Sequence, residues 1–212
     1  MSLKGKRILI TAGPTWVAID DIRVISNIAT GQTGVFLAEA AIRQGAKVTL
    51  FLGPGRDNSL NELIEIRRFR FFDDLRDKII RELRAKRYDA IIHTAAVSDF
   101  KPRKFRGKIN SAKGRDLELK PLPKIIRDIR RLAGYAKLVM FKLESGVSDK
   151  ILINRAKEVG MKSGVDLIVA NRLNPYRAFI INKQNNQIKA ESKQALAKKL
   201  IRILNQDLKP LH

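Results

Sequence analysis

Cysteine is absent from the chain, which removes disulfide bridges, thiolate zinc sites and thiol nucleophiles together. Histidine occurs only twice, so a histidine-based metal centre or catalytic triad has little to draw on. No apolar run approaches the ~20 residues of a membrane-spanning helix; Ala90 to Thr94, continued by Ala95, Ala96 and Val97, is typical of what there is. The opening Met-Ser-Leu-Lys-Gly-Lys-Arg passes directly into Ile8-Leu9-Ile10 without the apolar stretch of a signal peptide, so a cytoplasmic location is expected. Negative charge is also scarce. Against 43 Lys and Arg stand 21 Asp and Glu, a formal net charge of +22. Such a balance favours polyanionic partners, whether nucleotides, phosphorylated metabolites or nucleic acid. It is equally the composition of a densely charged solvated surface, as in heat-adapted proteins. What the sequence does supply is apolar material: 212 residues at 44% hydrophobic content are enough for one full core, and a single domain over 1–212 is expected.

The order of elements follows from periodicity. Arg7 to Thr11, Val48 to Leu52, Ile64 to Phe69, Ala90 to Thr94, Lys137 to Phe141 and Asp166 to Ala170 read as short buried strands. Between them, Phe36, Leu37, Ala40 and Ala41, then Leu75, Ile79, Ile80 and Leu83, then Asp149 to Met161, have helical spacing, the first helix stopping at Gly45. Continuously apolar strands alternating with amphipathic helices predict a doubly wound, mainly parallel α/β sheet of Rossmann-like type. Phe179–Ile181 and Gln187–Ala190 flank Lys183 to Asn186 as a hairpin, and Leu196, Leu200, Ile203 and Leu204 mark a closing helix. The stretch after Thr15 is expected to be a long loop, Lys101 to Arg131 a basic, proline-interrupted loop insertion, and Leu208 to His212 a frayed tail. The insertion holds twelve Lys or Arg against Asp116, Glu118 and Asp128.

Ligands of open α/β sheets bind beyond the carboxyl ends of the strands, so the segments falling there carry the candidate chemistry. Thr30-Gly31-Gln32-Thr33-Gly34 opens a helix with two glycines and two hydroxyls, the parts of an anion site, and also of an ordinary helix start behind a loop. It is neither Gly-x-Gly-x-x-Gly nor a Walker loop. Tyr88, Tyr135 and Tyr176 are followed four residues later by Ile92, Val139 and Ile180, so the Tyr-x-x-x-Lys pair of short-chain reductases is missing, and a nicotinamide-dependent reductase, for which the dinucleotide fingerprint is also lacking, ranks last among the readings. Asp99 can accept from a ribose hydroxyl, although a lone aspartate in such a place is more often a cap. Asn27 can present an amide to a carbonyl, although loop asparagines more often bond their own backbone. Lys108 can neutralise a polyphosphate or stand as a solvated charge, and His93, inside an apolar strand, reads as structural before catalytic.

Taken in series, these segments resemble the phosphopantothenate-cysteine ligase family of coenzyme A biosynthesis over nearly the whole chain. Ile8 to Thr15 is similar to its I-L-I-T-A-G-P-T, Ile25-Ser26-Asn27 to its I-S-N, and Ala29 to Gly34 to its glycine-rich loop. Gly45 to Gly53 is similar to G-A-x-V-T-L-x-x-G, Ala95 to Phe100 to A-A-V-S-D-F, Lys108-Ile109 to K-I, Phe141 to Glu144 to the end of G-F-K-x-E, and Asp166 to Asn171 to D-x-I-V-A-N. The resemblance implies a ligase that joins 4'-phosphopantothenate to L-cysteine through an acyl nucleotidylate, with CTP favoured over ATP and Mg²⁺ present. It implies that Asn27 contacts the phosphopantothenoyl carbonyl and that Lys108 steadies the phosphates or the acyl transfer. Around the nucleotide it implies Gly31 and Gly34, His93 and Thr94 leading to the Ala95 backbone, Phe141 at the base, Asp99 at the ribose, and Pro123, Lys124, Ile125 and Ile126 alongside. Two nucleotide-binding lysines four apart are usual on the helix before the last parallel strand; here Lys157 and Lys162 are five apart. The chain also departs from the family pattern at Val17, Gln32, Met140 and Arg172. A homodimer is implied, as is a phosphopantothenoylcysteine decarboxylase on a separate chain. The alternative function is a basic nucleic-acid-binding module on the same fold, although the basic insertion has few aromatics for base stacking beyond Phe100, Phe105 and Tyr135.

Overall fold

In the computed structural model, residues 3–55, 61–110, 112 and 114–208 are described. The strands are β1 (Arg7–Ala12), β2 (Trp16–Ala18), β3 (Val24–Ser26), β4 (Lys47–Leu52), β5 (Ile64–Arg68), β6 (Ala90–His93), β7 (Phe100–Pro102), β8 (Leu119–Pro121), β9 (Lys137–Leu143), β10 (Leu167–Arg172), β11 (Arg177–Asn182) and β12 (Gln187–Ala190). The helices are α1 (Gln32–Arg43), α2 (Phe72–Ala85), α3 (Ile125–Leu132), α4 (Asp149–Ser163) and α5 (Lys193–Asp207).

Eight strands form one sheet in the order β12-β11-β10-β9-β6-β1-β4-β5. The six from β10 to β5 run parallel, with Ile8 of β1 opposite Val48 on one side and Ala90 on the other; β11 and β12 return antiparallel. Both faces are covered, which is why the strands read as unbroken apolar runs rather than as alternating ones. Ile8 and Ile10 point toward the core under α1 and α5, with Leu37, Ala41, Leu196 and Leu200. Leu9, between them, points to the other core, with Phe72, Leu75, Ile129 and Leu152 of α2, α3 and α4.

Helix ends follow local chemistry. The Ser148 and Ser192 side chains cap α4 and α5 by accepting from Ile151 N and Ala195 N, and Gly164 in the left-handed region closes α4. α1 begins at Gln32, ahead of its first predicted apolar residue, because Gly31 at φ 76° turns the chain directly into the helix.

Two expectations are corrected. The long loop after Thr15 contains an antiparallel ribbon, β2–β3. Val17 is buried in it and Trp16 meets Phe71 edge-on at 6.0 Å, so packing holds three-residue strands too short to show a period. The basic insertion contains a second ribbon, β7–β8, and the helix α3, whose Ile125, Ile126 and Ile129 are core. The expected frayed tail beyond Leu208 lies outside the described residues.

Candidate functional site

The winding of the parallel strands reverses between β1 and β6, and the loops leaving their carboxyl ends diverge there, the place where such sheets bind ligands. The two loops are stitched together before they part. Thr94 N donates to Thr11 O (3.0 Å), Ala96 N to Gly13 O (2.9 Å) and Thr15 N to Ala96 O (3.2 Å). Thr15, fully buried, accepts from Ser98 N at 2.9 Å through its hydroxyl. Asn27 joins this seam, its Nδ2 donating to Ala96 O at 3.0 Å, which leaves the second amide hydrogen for a ligand carbonyl. Thr11 Oγ1 and His93 Nδ1 lie 2.8 Å apart in the floor, and Ala95 N donates to the same hydroxyl at 3.4 Å.

Burial lowers the His93 pKa to about 4 from 6.5. Between these values the unfolded chain takes up a proton that the fold refuses. The contribution of His93 to stability is therefore complete above pH 6.5 and declines as pH falls toward 4, by up to about 1.4 kcal/mol per pH unit. An NMR titration of its imidazole is expected to give a midpoint near 4; a midpoint at the ordinary histidine value would show an open, solvated ring. His93 is neutral at working pH and acts in the floor through hydrogen bonding.

Gly31 and Gly34 bring the start of α1 onto this floor. A Cβ on Gly34 would lie 2.2 Å from the Ala12 Cβ, so only glycine lets the helix rest against the end of β1. No side chain caps α1, so its first amides are left without a side-chain partner, the arrangement that binds anions at helix starts. At Gln32 the amide oxygen accepts from Lys193 Nζ of α5 at 2.9 Å. A cation therefore stands beside this helix end, supplied from 161 residues away, which sequence spacing gives no means of finding.

Asp99 and Lys124 form an ion pair beside the crevice, both side chains more than half exposed, and Leu122 N donates to Asp99 O at 2.8 Å. Pro123 and Lys124 are exposed here. Ile125 and Ile126 are buried with their side chains in the core, so only their backbone is available to a ligand. Phe141, half-buried, stands on β9 one residue past Met140, which pairs with His93; it is thereby level with Thr94. Arg172, at the end of β10, shares Asp149 with Arg177. Lys157 and Lys162 are not brought together: five residues on a helix turn through roughly 140°, and Lys162 is held by Glu158 at 2.6 Å.

Lys108 sits apart from Asn27. The tip of the β2–β3 ribbon grips its loop, whereas Asn27 follows the other end of β3, roughly 10 Å of strand away. Asp20 is buried in that tip and accepts from Ile22 N (2.8 Å), Arg23 N (2.7 Å), Arg23 Nη1 (2.8 Å) and Ile109 N (3.0 Å). Ile109 N–H foremost, then the two turn amides and the Arg23 charge, hold its carboxyl down to about 2 against burial, which pushes it up. Asp21 receives Gly107 N at 2.9 Å and pairs with Lys104 at 2.7 Å. Sequence reasoning overlooked Asp20, Asp21 and Arg23; the available signal was the aspartate-initiated turn over Asp20 to Arg23.

Among the described residues, no group of three or more His, Asp or Glu could hold a metal ion. No helix among them is long and apolar enough to cross a membrane. In the basic insertion Lys104, Lys120, Lys124, Arg130 and Arg131 are paired with Asp21, Glu118, Asp99, Asp166 and Asp128, which reduces the free charge on offer to a nucleic acid.

The pattern of the DNA/pantothenate metabolism flavoprotein C-terminal domain matches residues 3–208. The chain is 39% identical over 209 residues to the coenzyme A biosynthesis bifunctional protein CoaBC of Thermococcus kodakarensis, covering 98% of this chain and 50% of that protein. It is 34% identical over 205 residues to the CoaBC of Methanocaldococcus jannaschii, covering 93% and 50%. The chain thus spans about half the length of these curated relatives. Among solved structures, the DNA/pantothenate metabolism flavoprotein from Streptococcus pneumoniae superposes with a TM-score of 0.87 at 25% identity, covering 96% of this chain and all of that one. The C-terminal domain of a CoaBC does so with 0.80 at 26% identity, over 97% and 96%. The ordered motifs, the strand order and these matches agree: the chain belongs to the DNA/pantothenate metabolism flavoprotein C-terminal domain family, as its resemblance to phosphopantothenate-cysteine ligases implied.

Proposed function

We propose that the protein is a phosphopantothenate-cysteine ligase, the whole chain acting as one catalytic module of coenzyme A biosynthesis. The observation that carries this reading is the placement of Asn27 on Ala96 O, at the lip of a crevice whose floor ends in the uncapped, glycine-lined start of α1. A carbonyl-directed amide and an anion-binding helix end thereby share one seam. In the first step an oxygen of the 4'-phosphopantothenate carboxylate attacks the α-phosphorus of CTP and pyrophosphate leaves. In the second the cysteine amine attacks the acyl carbon, CMP leaves with the bonding electrons, and the amine proton passes to solvent. Asn27 orients the carboxylate, the α1 amides and Lys108 offset phosphate charge, Asp99 holds the ribose, and the Ala95 backbone with Phe141 frames the base. Such a reaction draws on positioning and charge neutralisation.

With no metal-holding acidic group among the described residues, a Mg²⁺ would arrive on the triphosphate and keep phosphate oxygens and water as its main ligands. When bound it supplies charge neutralisation at the phosphates. A homodimer is the working form we favour, supported by the exposed Ile22, Ile28, Phe100 and Leu119 on and beside the two ribbons. The decarboxylase of the next step is a proposed partner, and the cytoplasm the proposed location.

The test is pyrophosphate release by the purified protein with 4'-phosphopantothenate and Mg²⁺, comparing CTP with ATP, with and without L-cysteine. Release selective for CTP, with product formed only when cysteine is present, is expected. Absence of release with both nucleotides would overturn the reading, and selectivity for ATP would overturn the nucleotide assignment alone.

A further inference from the structure

The ribbon tip at Asp20 presents a buried carboxylate whose partners lie in two parts of the chain. Its Oδ1 accepts from Ile22 N and Arg23 N, which closes the tip on itself. Its Oδ2 accepts from Arg23 Nη1 and, 89 residues away, from Ile109 N. Arg23 Nη1 also donates to Ile109 O at 3.1 Å, so both backbone polar groups of Ile109 are engaged by the tip. One residue before Lys108, Gly107 N reaches Asp21 Oδ2 and Gly107 O accepts from Asp21 N at 3.3 Å. Further back, Phe105 N donates to Ile19 O at 2.8 Å. The backbone on each side of Lys108 is thus fixed by the ribbon, while the exposed Lys108 side chain makes no hydrogen bond or ion pair with a described residue.

Loops with four or five long-range bonds of this kind are uncommon on a surface, where connecting segments are ordinarily mobile. The geometry points to Asp20 as a positioning residue: its carboxylate, through Ile109 N–H, fixes the loop from which the Lys108 ammonium reaches the ligand. This inference rests on the ligase reading for the role of Lys108. Its structural half, the dependence of the loop on Asp20, is independent of any activity. Asp20 is well placed for the task because it is buried, where charge-assisted hydrogen bonds weaken little with salt. It also stays ionised at working pH, its carboxyl being held down to about 2.

Two variants separate the link from the tip. Asp20→Asn keeps a carbonyl oxygen for Ile22 N and Arg23 N but sets an amide donor against Ile109 N–H and Arg23 Nη1, breaking the two bonds made by Oδ2; Asp20→Ala removes those to both oxygens. Hydrogen exchange of the 104–109 segment is read in each, alongside pyrophosphate release by the same preparations, by Lys108→Gln and by Asp20→Asn/Lys108→Gln. In both Asp20 variants the Gly107 and Ile109 amides are expected to exchange at least about tenfold faster, the equivalent of one charge-assisted hydrogen bond. kcat is expected to fall roughly 10- to 100-fold, the cost of a misplaced catalytic charge. A residue that acts through Lys108 has nothing further to lose once that lysine is gone, so the double variant should match Lys108→Gln within about twofold. Unchanged exchange, a wild-type rate in Asp20→Asn, or additive losses in the double variant would overturn the inference. A wild type that releases no pyrophosphate would instead bring down the ligase reading and the positioning role with it, with the exchange data still reporting whether Asp20 holds the loop.

Discussion

Lys108→Gln is expected to lower pyrophosphate release by about 100- to 1000-fold with the fold intact, the usual cost of removing one preorganised stabiliser of developing charge. The size of the effect follows from how the residue is held. Its neighbours are tied down by the Asp20–Asp21 tip, so the backbone beneath it does not drift when the side chain changes. No acidic side chain among the described residues pairs with it, so its charge is not already neutralised. Glutamine keeps the length and polarity and deletes only the charge, which makes thermal unfolding a clean control: the melting temperature should stay within a degree or two, as for other exposed substitutions. A Lys108→Gln enzyme that retains the wild-type rate would remove Lys108 from the site.

The second large effect is structural. Gly34→Val would place a branched side chain where a single Cβ already comes within 2.2 Å of the Ala12 Cβ and 3.3 Å of the Thr94 Cγ2. Ala12 is fully buried at the end of β1 and cannot retreat, so α1 must lift. Overpacking of this kind costs about 3 kcal/mol, and in a chain of this size it should lower the melting temperature by roughly 6–12 °C. Because the helix that lifts is the one whose uncapped start is proposed to bind phosphate, nucleotide affinity should fall together with stability. Calorimetry and nucleotide titration on the same sample check both. A variant that melts like the wild type would mean that α1 does not rest on Ala12.

The contrast between these two positions shows what a sequence can and cannot convey. Gly34 was legible: its place at a helix start after a strand and a glycine-rich loop is a local pattern, and the apolar strands announced a sheet covered on both faces. Asn27 and Asp99 were legible as candidates because each stands in a short motif near a strand end. The environment of Lys108 was not, since the bond that fixes it joins residues 89 positions apart. The same holds for Lys193, whose approach to Gln32 depends on how α5 packs against α1. The two ribbons were missed for a different reason: strands of three residues have no measurable period, and Trp16 and Val17 are ordered by tertiary packing rather than by local preference. Lys157 and Lys162 illustrate the converse: the resemblance implies two lysines four apart, these stand five apart, and helical geometry places them on different faces.

The margins of the main sheet bear on how this protein behaves when crowded. One outermost strand, β5, reads Ile-Glu-Ile-Arg-Arg, with Glu65 bridged to Arg67; the other, β12, is four residues long and carries Lys189 paired with Glu191. A short or charged rim is a poor template for a further strand, and natural sheets use both devices against runaway stacking. The molecule therefore resists fibrillar growth by β-extension, and its apolar ribbons at the carboxyl ends of the strands can remain exposed for recognition without turning the whole sheet into an aggregation seed.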